Sequence, residues 1–149
     1  MTDRTKAVDA VRALARAARV LERASGELSL AHYRVLSAIA AGDERASRVA
    51  ERLALGKPAV SAAVEALRQR GLIVRSEVAG DQRAAALRLT DAGRALLDDV
   101  ETDMLERFTE LRNRTPDGAQ LVESLVWLGA AIEEVAEERM AARRRGGGR

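Results

Sequence analysis

Apolar residues recur at helical spacing near both ends of the chain. The N-terminal set predicts a helix over residues 6–24, with an apolar stripe formed by Val8, Val11, Ala15, Ala18 and Leu21. The C-terminal set alternates between spacings of four and three residues, at Leu121, Leu125, Leu128, Ile132 and Val135. This alternation is typical of a helix that packs along another helix, so we expect a helical scaffold built from the two ends.

Between the terminal helices, the pattern predicts three shorter helices. One is expected over 29–41, with Ser29 as its N-cap, and a second over 46–53. The third begins at Lys57 and ends at Gly71. Pro58 lies in its first turn, where the N–H that proline lacks would have had no intrahelical partner.

The period then changes to two, which indicates β-structure. Strands are expected over 72–78 and 85–89, joined by a loop over 79–83. Thr90 can cap a fifth helix that continues to about Arg112. The order of helix, short helix, tight turn, helix and hairpin within 29–89 is that of a winged helix-turn-helix.

These elements predict a mainly α protein with a small β-hairpin wing. We expect a single domain over 1–142, in which 29–89 form the winged helix-turn-helix. Residues 6–24 and 90–142 would form a helical dimerisation region. The Arg- and Gly-rich segment 143–149 is expected to be a disordered tail at the end of the scaffold, away from the DNA-reading surface.

The charge is unevenly distributed, although the net charge is only +2. Residues 1–42 and 43–88 each carry a net +3, residues 89–142 carry −8, and the tail adds +4. One part of the molecule can therefore attract a polyanion while another part repels it.

Composition excludes several kinds of site. The chain has no cysteine and only one histidine, which argues against a zinc site and a thiol redox switch. We see no catalytic constellation, no Gly-rich phosphate loop between a strand and a helix, and no cofactor motif. No signal peptide or membrane-spanning run is evident, so we expect a cytoplasmic protein that is not an enzyme.

One run also carries a family resemblance. Asp81-x-Arg83, followed by Leu87, Leu89, Thr90 and Gly93, resembles the wing-to-helix signature of MarR-type regulators, and segments 33–36, 46–53 and 70–73 fit in order and spacing. The resemblance extends roughly from residue 6 to 140. It implies a homodimer joined by its terminal helices. It also implies a repressor that binds a pseudo-palindromic operator in double-stranded DNA and releases it when a small molecule binds.

Candidate DNA contacts follow from these roles. The start and outward face of the second helix of the motif can reach base edges, through Lys57, Ala59, Ser61 and Ala62. Ser47 and Arg48 lie at a helix N-terminus, where phosphates bind readily. Arg83 at the wing tip suits a minor groove, with Asp81 to orient its guanidinium. Arg70 and Arg75 are candidates for backbone contacts.

The alanines of the second helix keep other functions open. Methyl groups can contact thymine but offer no hydrogen bonds, so operator choice can depend on the wing and on DNA shape. One alternative is a winged-helix module for protein–protein interaction. Another is an architectural protein whose Arg-rich tail binds DNA without sequence preference.

A basic stripe on the first helix is the candidate ligand site. Arg12, Arg16, Arg19 and Arg23 follow helical spacing, which most simply makes a solvated face. Alternatively, part of the stripe lines the pocket that the family has between its first, second and fifth helices. It would then bind an anionic, aromatic effector through Arg12, Arg16, Arg19, His32 and Tyr33.

Overall fold

The structure, a computed structural model, describes residues 2–42, 45–78 and 81–146, with their side chains except at 77, 78 and 81–85. Its elements in chain order are α1 (Asp3–Ala24), α2 (Leu30–Ala40), α3 (Ala46–Leu53), α4 (Lys57–Gln69), β1 (Ile73–Val78), β2 (Asp81–Leu89), α5 (Asp91–Arg112) and α6 (Gly118–Gly146). The expected mainly helical fold with one hairpin is confirmed.

Side-chain caps determine where several helices begin. Ser29 Oγ accepts a hydrogen bond from His32 N at 3.1 Å, as the sequence predicted, and α2 starts at the next residue. Thr90 Oγ1 accepts from Gly93 N at 3.0 Å and starts α5 in the same way. These bonds satisfy backbone donors that have no partner within the helix.

A continuous hydrophobic core lies beneath the helix-turn-helix. It joins the inner faces of α2, α3, α4, the hairpin and α5, and its fully buried members include Val35, Leu36, Val49, Val60, Val64, Leu67 and Ile73. On α4 the predicted buried positions are confirmed, with Ala63 added to them. This half of the molecule has a complete core within one chain.

The hairpin extends further than the sequence predicted. β1 and β2 pair antiparallel, with Ile73 opposite Leu89 and Ser76 opposite Ala86, and the register shifts before Val78 pairs with Asp81. β2 therefore begins at Asp81, so the predicted start at residue 85 is wrong, and the predicted loop is wrong at 81–83. Residues 79 and 80 lie outside the described part of the chain. Extended backbone needs no β-branched side chains, and no proline interrupts 81–84, so the strand includes those residues.

A close contact joins the base of the hairpin to the first turn of α5. Thr90 N donates to Leu72 O at 3.0 Å, and Thr90 Oγ1 donates to Gly71 O at 2.6 Å. A Cβ at Gly93 would overlap the carbonyl oxygen of Leu72. Only glycine therefore allows α5 to approach the strand this closely.

The terminal helices contribute little to that core. None of the 22 residues of α1, all of which the structure describes, is buried, and α6 buries Ala136. Several large apolar side chains on both helices are exposed, among them Val11 at 66%, Trp127 at 62% and Ile132 at 60%. The chain thus displays apolar surface that it does not cover itself.

The C-terminal segment does not follow the sequence prediction. A disordered tail was expected from Arg143, but α6 continues through Arg143, Arg144 and Arg145 to Gly146. Arginine has a high helix propensity, and cations in the last turn interact favourably with the helix dipole. Residues 147–149 lie outside the described part of the chain.

One polar contact connects α2 to α5. Tyr33 Oη donates to Glu101 Oε1 at 3.3 Å, and the Tyr33 side chain is partly buried. Burial raises the pKa of the Tyr33 phenol, and the negative charge of Glu101 and this hydrogen bond raise it further. The stabilisation that the protonated Tyr33 phenol contributes is therefore complete below the pKa of this phenol in the unfolded chain, about 10. It is lost as the pH rises through the higher pKa of the phenol in the folded chain.

We predict that Gly93→Ala destabilises the fold by about 1–3 kcal/mol, because α5 must move away from Leu72 to admit a methyl group. Urea unfolding measures the loss. Ala92→Ser is the matched control, since Ala92 is exposed in the same turn and its substitution should cost within about 0.5 kcal/mol. Equal stability of the two variants would contradict the close approach.

We predict that Glu101→Gln lowers the pKa of Tyr33 but leaves it above the value of a free phenol, because burial is the largest cause of the shift. Tyr33 is the only tyrosine, so the absorbance of the phenolate reports it alone. Glu106→Gln makes the same charge change on the same helix and should leave the midpoint unaltered. A Glu101→Gln midpoint equal to that of the wild type would refute the contact.

Candidate nucleic-acid interface

The turn between α3 and α4 gives the motif its geometry. Ala54 ends α3 in the left-handed region, with φ 51°, and Leu55 N donates back to Ala50 O at 3.0 Å. Gly56 then starts α4, with Pro58 in its first turn as predicted. Val49 of α3 and Val64 of α4 are both completely buried, so the two helices share one apolar contact.

The outer face of α4 is open to solvent. Its exposed residues include the four predicted base contacts Lys57, Ala59, Ser61 and Ala62. The opposite face packs into the core through Val60, Val64 and Leu67. The core thus packs against the inner face of α4 and leaves its outer face exposed, with short side chains that allow close approach to a groove.

The two helices of the motif begin without side-chain caps. Within the described residues, no side chain accepts a bond at the N-terminus of α3 or α4, whereas Thr2, Ser29 and Thr90 cap α1, α2 and α5. The exposed residues Ser47 and Arg48 lie in the first turn of α3. First-turn N–H groups without a cap can donate to phosphate oxygens.

A carboxylate-centred cluster lies at the C-terminal half of α4, and the sequence analysis did not identify it. Glu65 accepts from Arg68 Nη2 at 2.8 Å and Nε at 3.1 Å, and from Gln69 Nε2 at 3.2 Å. Hydrogen bonds from Arg68 lower the pKa of Glu65, against an opposing effect of burial, and the charge of Arg75 acts in the lowering direction. The i, i+3 spacing of Glu65 and Arg68 is the signal that could have revealed the pair.

Arg70 and Arg75 lie after the C-terminal end of α4, at its C-cap and in β1. Arg70 is the C-cap of α4, where Leu72 N donates to Leu67 O at 3.0 Å and Gly71 has φ 71°, so the chain reverses into β1. Arg70 Nη2 lies 4.0 Å from Glu27 Oε2, a long contact that leaves it exposed. Arg75 is exposed on β1, near Glu65.

The wing itself is described in part. Asp81 and Arg83 belong to β2, but their side chains lie outside the described residues, so the predicted orienting role of Asp81 stays a prediction. Val74 and Arg88 face each other across the ladder and are both exposed. Arg88 is a further cation on the wing that the sequence analysis did not single out.

The predicted ligand residues are not gathered around one cavity. Arg12 pairs with Asp9 at 3.3 Å and Arg19 with Glu22 at 2.7 Å, both on the exposed face of α1, and Arg16 is also exposed. Tyr33 is engaged with Glu101, and His32 is partly buried. A cleft between α1 and α5 is lined instead by Val20, Arg23, Ala24, Gly26, Asp103, Glu106 and Arg107.

Two ion pairs connect α3 to α6, and neither was expected. Arg52 Nη2 lies 3.4 Å from Glu133 Oε1, and Arg144 Nη2 lies 3.0 Å from Glu51 Oε2. The basic end of α6 is thus in contact with the helix-turn-helix. Arg144 thus lies beside α3, where the sequence analysis did not place it, and the expectation that the C-terminal arginines lie away from the DNA-reading surface stays a prediction.

Other kinds of site find no support in the described part of the chain. Its His, Asp and Glu residues form no group of three or more that could hold a metal ion. No helix in the same ranges is both long and apolar enough to cross a membrane.

Comparisons with known proteins agree with this architecture. The sequence model of the MarR family matches residues 27–84. The transcriptional repressor CouR bound to a 23-mer DNA duplex is 27% identical, with a TM-score of 0.72 over 83% of this chain and 89% of CouR. No curated protein matches the chain in sequence at a significant level.

Two more distant structures share the fold. Wild-type MarR from E. coli in its apo form is 18% identical, with a TM-score of 0.68 over 89% of this chain and 98% of its own. CouR from Rhodococcus jostii RHA1 bound to p-coumaroyl-CoA is 24% identical, with a TM-score of 0.64 over 80% and 87%. Together with the exposed face of α4 and the hairpin, the family-model match and the DNA-bound CouR structure identify the chain as a DNA-binding transcriptional regulator with a winged helix-turn-helix fold, similar over residues 27–84 to the MarR family.

Proposed function

We propose that the chain is a homodimeric repressor that binds a pseudo-palindromic operator, with α4 in the major groove and the wing alongside it. The observation that carries the proposal is the exposed face of α4, which the core supports from behind. A rigid helix with a free outer face is what direct base readout requires. The DNA-bound state of CouR, at 27% identity, supports the same mode of binding.

Phosphate contacts at the start of the motif would fix its register on the duplex. The uncapped first turns of α3 and α4 offer backbone donors, and Ser47, Arg48 and Lys57 surround them. Such contacts position the protein but carry no sequence information. The exposed methyl groups of Ala59 and Ala62 suit thymine, and Arg83 in the wing would contribute a minor-groove contact.

The uncovered apolar surface supports the homodimer. Val8, Val11 and Leu14 are exposed along α1, and Leu128, Ile132 and Val135 are exposed along α6. Monomeric proteins seldom leave apolar patches of this extent open to water, whereas oligomer interfaces bury them. A twofold pairing of these helices would present two copies of α4 to successive turns of one duplex face.

We further propose that a small anionic, aromatic effector regulates DNA release. CouR has been crystallised with p-coumaroyl-CoA, which supports an effector site in this fold. In this chain a cleft between α1 and α5 is lined by the cations Arg23 and Arg107 and by the carboxylates of Asp103 and Glu106. An effector bound there would alter the angle between the scaffold and the helix-turn-helix.

We predict that the chain sediments as a dimer of 16.1 kDa subunits at micromolar concentration. Ile132→Asp should weaken the dimer at least about tenfold, because a carboxylate would have to be desolvated in an apolar interface. Val74→Asp, an equivalent change on the exposed face of the wing, should leave the dimer unaltered. A wild-type chain that sediments as a monomer would contradict the proposal.

We predict that Arg83→Ala weakens operator binding by about 1–3 kcal/mol without lowering the melting temperature, because it removes a cation from the wing. The probe is an operator selected from random-sequence duplexes by the wild-type chain. Arg107→Ala, an exposed cation on α5, is the control and should bind normally. Unchanged affinity of Arg83→Ala with an unchanged melting temperature would show that the wing makes no DNA contact.

A further inference from the structure

The last turns of α6 lie against the first helix of the DNA-binding motif. A cleft between α3 and α6 is lined by Arg48, Glu51, Arg52, Glu133, Ala136, Glu137, Met140, Ala141 and Arg144. Ala136, at the centre of this contact, is the buried residue of α6. Arg144 therefore shares one cleft with Arg48, which is a candidate phosphate contact.

Two ion pairs join α6 to α3. Glu133 pairs with Arg52, and Arg144, eleven residues further along α6, pairs with Glu51. Both pairs are solvent-exposed, so they add little to stability, and the apolar contact at Ala136 keeps the helices together. The ion pairs show where the end of α6 lies, with Arg144 beside Glu51.

The end of α6 carries positive charge that these pairs do not neutralise. The formal charges that line the cleft sum to zero, since three arginines and three glutamates line it. Beyond it, Arg143 and Arg145 flank Arg144 in the last turn, are exposed, and form no ion pair within the described part of the chain. These two cations are the uncompensated charge at this edge of the helix-turn-helix.

We propose that the basic last turn of α6, Arg143–Arg145, is an additional DNA-binding surface that contacts the phosphate backbone next to the site occupied by α3. Charge complementarity favours duplex DNA as the partner, and the turn is held beside the element that approaches the backbone. The inference rests on the proposed mode of operator binding. It adds backbone contacts at the operator flanks and no base contacts, so it contributes affinity without sequence preference.

The first test replaces all three cations at once. In Arg143→Gln/Arg144→Gln/Arg145→Gln, the slope of log K against log salt should become shallower by roughly 2–3 per chain, and so by roughly 4–5 for the proposed dimer, since each phosphate contact contributes about 0.9. Operator and scrambled duplexes should lose affinity by the same factor. A slope equal to that of the wild type would overturn the proposal.

The control removes the same charge from the other end of α6. Arg112→Gln/Arg114→Gln, compared with Arg143→Gln/Arg145→Gln, alters two exposed cations between α5 and α6, and Arg144 lies roughly 39 Å along α6 from Gly118 at 1.5 Å per residue. This variant should keep the wild-type slope. An equal loss in both variants would assign the effect to overall charge and would also overturn the proposal.

A second measurement reports the position of α6 on the DNA and not the binding free energy. The chain has no cysteine, so Arg145→Cys can carry a single tethered iron–EDTA probe, with Arg114→Cys as the control. Cleavage of the operator flanks from position 145 but not from 114 is expected. Equal cleavage from both positions overturns the proposal while the wild-type footprint stays intact. If the wild-type chain protects no duplex, the proposed operator binding fails, and this inference fails with it.

Discussion

The fold depends on the contact between the base of the wing and the first turn of α5. Thr90 hydrogen-bonds to the backbone of Gly71 and Leu72, and Gly93 lets the helix lie directly on the Leu72 carbonyl. This junction adds a direct contact between the wing and α5 to the core that the hairpin and α4 share with α2 and α3. Because α5 then leads to α6, the orientation of the DNA-reading elements relative to the scaffold is established within a few residues.

The distribution of buried apolar surface separates the two halves of the molecule. The helix-turn-helix and hairpin have a core that one chain completes, so α4 can be rigid in the monomer. The scaffold helices α1 and α6 lack such a core and leave Val11, Trp127 and Ile132 exposed. The proposed homodimer would cover this surface, and its twofold symmetry would match the proposed pseudo-palindromic operator.

Local signals were sufficient to predict most of the fold. The bounds of α3, the caps Ser29 and Thr90, and the position of Pro58 were all correct, because each depends on neighbours within one turn. The start of β2 was not, since strand pairing depends on the register with β1 and not on the residues of 81–84 alone. Gly93 was part of the sequence signature, but the sequence did not explain why glycine is needed there. The explanation is that a Cβ would overlap Leu72, and only the tertiary structure shows this contact.

The candidate interface was predictable to the same extent. The exposed face of α4 follows from helical periodicity, so Lys57, Ser61 and their neighbours could be placed on it. The ion pairs between α3 and α6 join residues more than eighty positions apart, Arg52 with Glu133 and Glu51 with Arg144, and no local pattern reveals them. The proposed ligand stripe on α1 had the correct spacing, but two of its arginines are engaged by acidic residues three positions away on the same helix.

The long-range ion pairs change how the charge asymmetry works. When the charges are summed by segment, the acidic region 89–142 at −8 and the basic tail at +4 leave a net −4, so the scaffold should repel DNA. In three dimensions α6 spans the molecule, with its acidic length along the scaffold and its basic last turn beside α3. Electrostatic attraction falls off within about 10 Å at moderate salt, so the nearest charges dominate at the DNA surface. The acidic residues of the scaffold then oppose binding only weakly, while the same helix brings its arginines to the edge of the reading surface.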